Sequence, residues 1–222
     1  MSGMLRNAWD ALWGQGEYSV TVPPMDGALR PNAALDEAET LLAAPAIDNL
    51  AVHAGRLYFT QGPSLLALDG LGATPRKVAE FASDISALAI AGNGTTAVGL
   101  DEGRLLVAAT PEAATEGTAQ SFAGKPAYVT ALAYSPKGDL HVCLGSASQR
   151  PSEWKRDLMM RNSSGSVWRI PAGGGAPESL GDGLAFPNGV GFFPDGTLVV
   201  VEAWKNRLLK RGGDGRWQPF LI

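Results

Sequence analysis

Leu184-Ala185-Phe186-Pro187-Asn188-Gly189-Val190-Gly191-Phe192-Phe193-Pro194-Asp195-Gly196-Thr197-Leu198-Val199-Val200-Val201-Glu202 reads as one β-hairpin, two apolar strands around the turn Pro194-Asp195-Gly196. The unit recurs upstream in degenerate form, so the chain is a repeat protein. Its copies open with Asp48-Asn49-Leu50-Ala51-Val52, Ser86-Ala87-Leu88-Ala89-Ile90, Thr130-Ala131-Leu132-Ala133-Tyr134 and Asn188-Gly189-Val190-Gly191-Phe192. Each is followed by a turn that needs Gly or Asn for positive φ: His53-Ala54-Gly55, Gly92-Asn93-Gly94, Pro136-Lys137-Gly138-Asp139 and Pro194-Asp195-Gly196. A third strand follows in every copy, at Ser64 to Leu68, Gly103 to Val107, Gly165 to Ile170 and Asn206 to Lys210. Fourth strands are expected near Lys77 to Phe81, Ala119 to Phe122, Glu178 to Leu180 and Trp217 to Leu221, weakly marked as edge strands are.

Copies starting 38, 44 and 58 residues apart, built of short strands and Gly/Pro turns, are the pattern of a β-propeller with one four-stranded blade per repeat. The fold class is therefore all-β, with blades over residues 47–222 starting near 48, 86, 130 and 188. Residues 1–46 form a separate segment. Leu5 to Trp13 reads as a short amphipathic helix, Thr21 to Pro31 as extended, and Leu35 to Ala43 as a second short helix.

Composition narrows the function classes. With 222 residues, 45% hydrophobic and 18% charged, the chain suits one large globular domain. No apolar run approaches the roughly 20 residues that span a bilayer, so no transmembrane segment is expected. Eighteen Lys+Arg against 22 Asp+Glu, with the basic residues scattered, leave no electrostatic footprint for nucleic acid. Cys143 is the only cysteine and lies in an apolar strand, which suits a reducing compartment; a cytoplasmic location is the expectation.

The repeat also places the chemistry. The innermost strand of each blade lines the propeller axis, so Asp48, Ser86, Thr130 and Asn188 are expected together at one mouth. All four carry oxygen, the donor a hard cation or a polar ligand uses. Counting back from a turn centred on Asp195 sets Phe193 opposite Thr197 and Asn188 opposite Glu202, adding Glu202 to the same mouth; a register slip of one residue turns it away. The long connection Ser146 to Ser164 returns to this mouth and reads as a lid, with a short helix starting at Pro151-Ser152-Glu153-Trp154. Its Arg150, Trp154, Arg156 and Arg161, with Ser86, are the candidate substrate contacts, suited to an anionic or carbonyl-bearing ligand. His53 falls at a turn on the opposite mouth and His141 within a strand, so no Ser/His/Asp triad is suggested. Ala172-Gly173-Gly174-Gly175-Ala176 is a hairpin turn, not a phosphate loop.

From Leu140 to Arg211 the chain resembles the strictosidine synthase-like family, a branch of six-bladed propellers that includes gluconolactonases of the senescence-marker type and the paraoxonases. The residues that carry the likeness are Ser146-Ala147-Ser148, Trp154-Lys155-Arg156-Asp157-Leu158, Ser164-Gly165-Ser166-Val167-Trp168-Arg169-Ile170, and Phe186-Pro187-Asn188-Gly189-Val190 leading to Val201-Glu202-Ala203. In metal-dependent members a Ca²⁺ or other divalent ion lies on the axis, held by a blade-one Glu, by Asn residues and by a later Asp. The resemblance thus implies Asn188 as a metal ligand, Asp48 in place of the Glu, and Thr130 in place of another Asn. It also implies six blades against four copies here: either a truncated or split product, or a partner chain or self-association completing the propeller, with a closed four-bladed ring as the other case.

The expected activity is a lactonase-like or esterase-like hydrolase of a small lactone or ester. The cation would polarise the carbonyl, with Glu202 as further ligand or base. The alternative is a metal-free propeller that binds a small ligand without turnover. A strictosidine synthase-like enzyme condensing an amine with an aldehyde is the third reading, although the last-blade Glu of that enzyme has no counterpart here.

Overall fold

The computed structural model describes residues 36–70 and 72–221, and its four sheets lie in the compact unit Leu42–Ile222. The elements expected at Leu5 to Trp13 and Thr21 to Pro31 lie outside the described residues. The second helix expected over Leu35 to Ala43 is not formed at residues 36–43, which carry only turn, bend and irregular backbone. A run that short, ahead of Pro45, is well below the ~12–15 residues at which helices become marginally stable without packing.

Each repeat is one antiparallel four-stranded sheet. Blade one contains β1 (Ile47–His53), β2 (Arg56–Gln61), β3 (Ser64–Leu68) and β4 (Arg76–Glu80). Blade two contains β5 (Ile85–Ile90), β6 (Thr96–Leu100), β7 (Arg104–Ala108) and β8 (Thr118–Ala119). Blade three contains β9 (Val129–Tyr134), β10 (Leu140–Leu144), β11 (Gly165–Ile170) and β12 (Glu178–Leu184), with a short α-helix, α1 (Trp154–Met159), between β10 and β11. Blade four contains β13 (Pro187–Phe192), β14 (Leu198–Glu202), β15 (Arg207–Arg211) and β16 (Trp217–Leu221). The fourth strand expected over Ala119 to Phe122 shrinks to two residues, because Phe122 turns inward, fully buried and edge-on to Trp168 at 5.5 Å.

The turn residues act as expected. In the inner hairpins of blades two, three and four the ring-closing bonds Ala91 N to Thr95 O, Ser135 N to Asp139 O and Phe193 N to Thr197 O bracket a tight turn. Its fourth residue is left-handed: Gly94 at φ 92°, Gly138 at 87° and Gly196 at 84°. A type I turn followed by such a residue keeps the strands in register, and glycine adopts it without a Cβ penalty.

Between successive blades the facing sheets close on apolar cores. Tyr58, Leu65, Ile85, Val98 and Leu106 fill the first, Leu105, Val129, Val142 and Leu144 the second, and Val167, Leu184, Val200 and Leu209 the third. Burying each such side chain stabilises the fold by about 1.5–3 kcal/mol. The burial of the second strands follows from this stacking. Every residue of β6 and β10 is buried, because blades two and three have neighbours on both faces, whereas β14 exposes Val201. On the outer faces of blades one and four Leu50, Val52 and Phe220 are likewise exposed.

All four inner strands carry a bulge near their start, at Asn49, Ser86, Thr130 and Asn188, where the pairing with the second strand skips one residue. The structural counterpart of Ser86, Thr130 and Asn188 in blade one is therefore Asn49, one position after the expected Asp48. A bulge bends the strand and re-aims its side chains, and here it happens where the inner strands reach the mouth.

Candidate functional site

Asp48, Ser86, Thr130 and Asn188 line one cleft of about 590 Å³, within the roughly 300–1,000 Å³ common for small-ligand sites. Asp48 stays in the cleft despite the bulge offset, while Asn49 turns its amide to the Thr60 hydroxyl at 3.2 Å. The Ser86 hydroxyl oxygen is buried and has no hydrogen-bond partner among the described residues. Thr130 is committed elsewhere: its hydroxyl donates to the Pro187 carbonyl at 2.5 Å, with the Cys143 carbonyl at 3.3 Å, and so straps blade three to blade four.

Glu202 is a correction to the expected register. The bulge at Asn188 pairs Glu202 with Pro187, not Asn188. Its side chain is fully buried and takes no part in lining the cleft. The Ala185 N–H donates to one carboxylate oxygen at 2.8 Å and the Lys205 ammonium lies 3.0 Å from that atom, while Arg207 Nε donates to the other at 2.5 Å. Burial alone would raise this acid, but the three donors overcome that and hold it below the ordinary carboxylate value. A carboxylate paired in this way is neither a free base nor a spare ligand.

The lid forms where expected. Pro151–Glu153 makes a 3-10 turn that runs into α1. Two latches fix it across the mouth. At one end Asp101, just after β6, accepts from the Ser152 N–H and the Ser152 hydroxyl, both at 2.7 Å. At the other, Asp157 is fully buried and accepts from Trp204 Nε1 at 2.8 Å and from the Asn162 amide at 3.0 Å. Trp204 in turn stacks on Phe186 at 4.4 Å and lies 6.1 Å from Trp154. Three aromatic rings from blade four and the lid thereby form one wall of the cleft.

Of the expected substrate contacts, Ser86 and Trp154 line the cleft and Arg150, Arg156 and Arg161 do not. Arg150 and Arg161 are exposed, and Arg156 reaches toward Glu153 at 4.0 Å. On α1 the one buried position goes to Asp157, which leaves Arg156 in water, while Arg150 and Arg161 lie beyond the ends of the helix. The sequence reasoning missed Asp84, Asp101, Phe186 and Trp204, all of which face the cleft. Hairpin logic could have found the first two, since Asp84 directly precedes β5 and Asp101 directly follows β6 at the same mouth.

The donor set falls short of the metal centre that the resemblance implies. Asp48 and Asn188 share the cleft, but the Thr130 hydroxyl and Glu202 carboxylate are bonded away, and among the described residues no group of three or more His, Cys, Asp and Glu side chains is placed to hold a metal ion. His141 lies in β10, edge-on to Phe192 at 4.9 Å, and burial lowers its pKa. The Cys143 thiol is buried and burial pushes its pKa up, the opposite of a reactive thiolate.

With four sheets stacked face to face and a mouth built from inner-strand starts, the chain is a propeller-type protein, and known structures bear this out. No family model matches it, and no curated protein does either. It is similar to a streptogramin B lyase structure, at 13% identity and TM-score 0.58, covering 82% of this chain and 57% of that one. It is also similar to a chain of a nidogen/laminin complex, at 19% identity and TM-score 0.65, covering 84% and 70%. A third likeness is to regucalcin of Agrobacterium tumefaciens, described as a calcium-binding protein, at 18% identity and TM-score 0.56, covering 84% and 61%. The chain thus spans less than two thirds of the length of the lyase and of regucalcin. These likenesses establish the β-propeller architecture and do not single out the strictosidine synthase-like branch. Among the described residues no helix is long and apolar enough to cross a membrane.

Proposed function

We propose that this protein binds a small organic ligand in the cleft beneath the Ser146 to Ser164 lid, without turnover. One observation carries the reading: the cleft gathers residues from all four blades and the lid against an aromatic wall, and among the described residues no His, Cys or Lys side chain faces it. Glu202 is neutralised by Arg207 and Lys205, and neither His53 nor His141 lines the cleft. Aromatic rings plus a few convergent oxygens give a small ligand affinity and orientation. Tryptophan fluorescence of the whole chain against a small-molecule panel tests this. Hits should lose affinity when Trp154 becomes Ala, and the absence of any Trp154-dependent hit would remove the reading.

A second reading, the lactonase-like or esterase-like hydrolase with a divalent cation, has Asp48 and Asn188 in the same cleft in its favour, together with the likeness to a calcium-binding propeller. A thermal melt with millimolar Ca²⁺ separates the two. An ion that binds only the folded state raises the midpoint, and the rise should vanish in Asn188→Ala if the cation is held there. The condensing-enzyme reading rests on the resemblance alone. Exposed Leu50, Val52, Val201 and Phe220 on the outer blades support association with a partner chain or a second copy, which sedimentation of the purified chain would detect. A reducing, cytoplasmic setting is our reading of the single buried Cys143.

A further inference from the structure

We propose that the ligand of this cleft is an organic cation with an apolar body, an ammonium or guanidinium head on an aromatic or branched hydrocarbon part; this deepens, and rests on, the small-ligand reading above. The basic lid predicted the opposite charge. The structure puts Arg150, Arg156 and Arg161 outside the cleft and lines it with three carboxylates instead, Asp48, Asp84 and Asp101, and, among the described residues, with no Lys, Arg or His.

None of the three carboxylates belongs to an ion pair among the described residues. Asp101 is bonded to Ser152 and Asp48 accepts the Asn49 N–H at 2.9 Å, but these are neutral donors and leave the charges uncompensated. Like charges lining a concave, low-dielectric wall focus a negative potential into it. An anionic ligand meets repulsion there, and a neutral one would desolvate carboxylates without pairing them, which is costly.

The two sides of the cleft differ in kind. Asp48, Asp84 and Asp101 come from blades one and two, whereas the aromatic wall comes from blade four and the lid. A cationic head pairs with the first side, and an apolar body packs on the second, where ring faces also attract a cation. The wall is set before binding, because Asp157 holds Trp204 and Trp204 stacks on Phe186; such preorganisation lowers the cost of association. A bare metal ion uses neither the aromatic wall nor most of the 590 Å³.

The test titrates the full chain with three probes of similar size, benzyltrimethylammonium, benzyl alcohol and phenylacetate, read by tryptophan fluorescence and calorimetry. The cation should bind at least about tenfold tighter than either other probe, weakening as salt rises. Asp48→Asn and Asp84→Asn, both at exposed positions and so not expected to disturb folding, should each reduce its affinity by about three- to tenfold. Trp154→Ala should weaken the cation and the alcohol together. If the alcohol binds as tightly as the cation, and neither Asn substitution matters, the charge inference falls while the small-ligand reading stands. If no probe binds in a Trp154-dependent way, both fall.

Discussion

The two mouths of the propeller are built by opposite means. The far mouth, where inner hairpins turn, is made of short loops closed by backbone bonds and a left-handed glycine at Gly94, Gly138 and Gly196. The near mouth is made of side chains: Glu202, Asp157, Gln149 and Ser146 are buried polar groups held by specific partners. The far mouth sets strand register and asks little of any one side chain. The near mouth aims an aromatic wall and a lid, and depends on individual buried charges.

This contrast predicts a steep ranking of substitutions. Glu202→Ala should be the most damaging, by about 3–5 kcal/mol, since it strands Arg207 beside a cavity and orphans the Ala185 N–H; urea unfolding measures it, and a loss below about 1 kcal/mol would end the claim that the near mouth hangs on this acid. Asp157→Ala should follow at about 2–3 kcal/mol, with a shifted Trp204 emission as the indole loses its acceptor. Gly138→Ala on the far mouth should cost only about 1 kcal/mol, from a Cβ forced to φ 87°. Tyr134→Phe should be nearly neutral. The Tyr134 hydroxyl is buried with no partner among the described residues, and burial pushes its pKa up to about 12, so deleting it removes none of the bonds seen there. A large cost there would reverse the comparison.

Acid should separate the mouths in sequence. Burial lowers His141, which sits toward the far mouth, so its contribution is present above the ordinary 6.5 and is lost as pH falls through its lower folded value. Glu202 is held below 4.5 by its donors against the opposing effect of burial, so its contribution persists above 4.5 and disappears only as pH falls through its folded value. Amide exchange at Ala185 should therefore stay slow while global stability first declines, then accelerate in the lower window. Loss of Ala185 protection before the His141 window would contradict this order.

Much of the blade architecture was legible because its determinants are local. Ser64–Leu68, Gly165–Ile170 and Trp217–Leu221 form strands at the boundaries read from the sequence, and each turn glycine is where the pattern placed it. The site was legible in part. Asp48, Ser86, Thr130, Asn188 and Trp154 meet at one mouth, as the repeat logic required. Glu202 was misjudged because a single bulge residue at Asn188 shifts the pairing, and strand alternation converts that slip into a change of side. Arg156 was misjudged because a short lid helix has one inward position, and Asp157 takes it; Arg150 and Arg161 lie beyond the helix ends and are exposed.

The sequence by itself determined the repeat, the hairpins and the stacking of four sheets, since a two-residue side-chain period and a few glycine turns act over distances of several residues. Only the tertiary structure decided which polar groups face the cleft. That choice follows from bulges, from competing partners such as Arg207 for Glu202 and Pro187 for Thr130, and from a lid latched to two other blades. Those partners lie up to 57 residues apart along the chain, and no local pattern encodes their meeting.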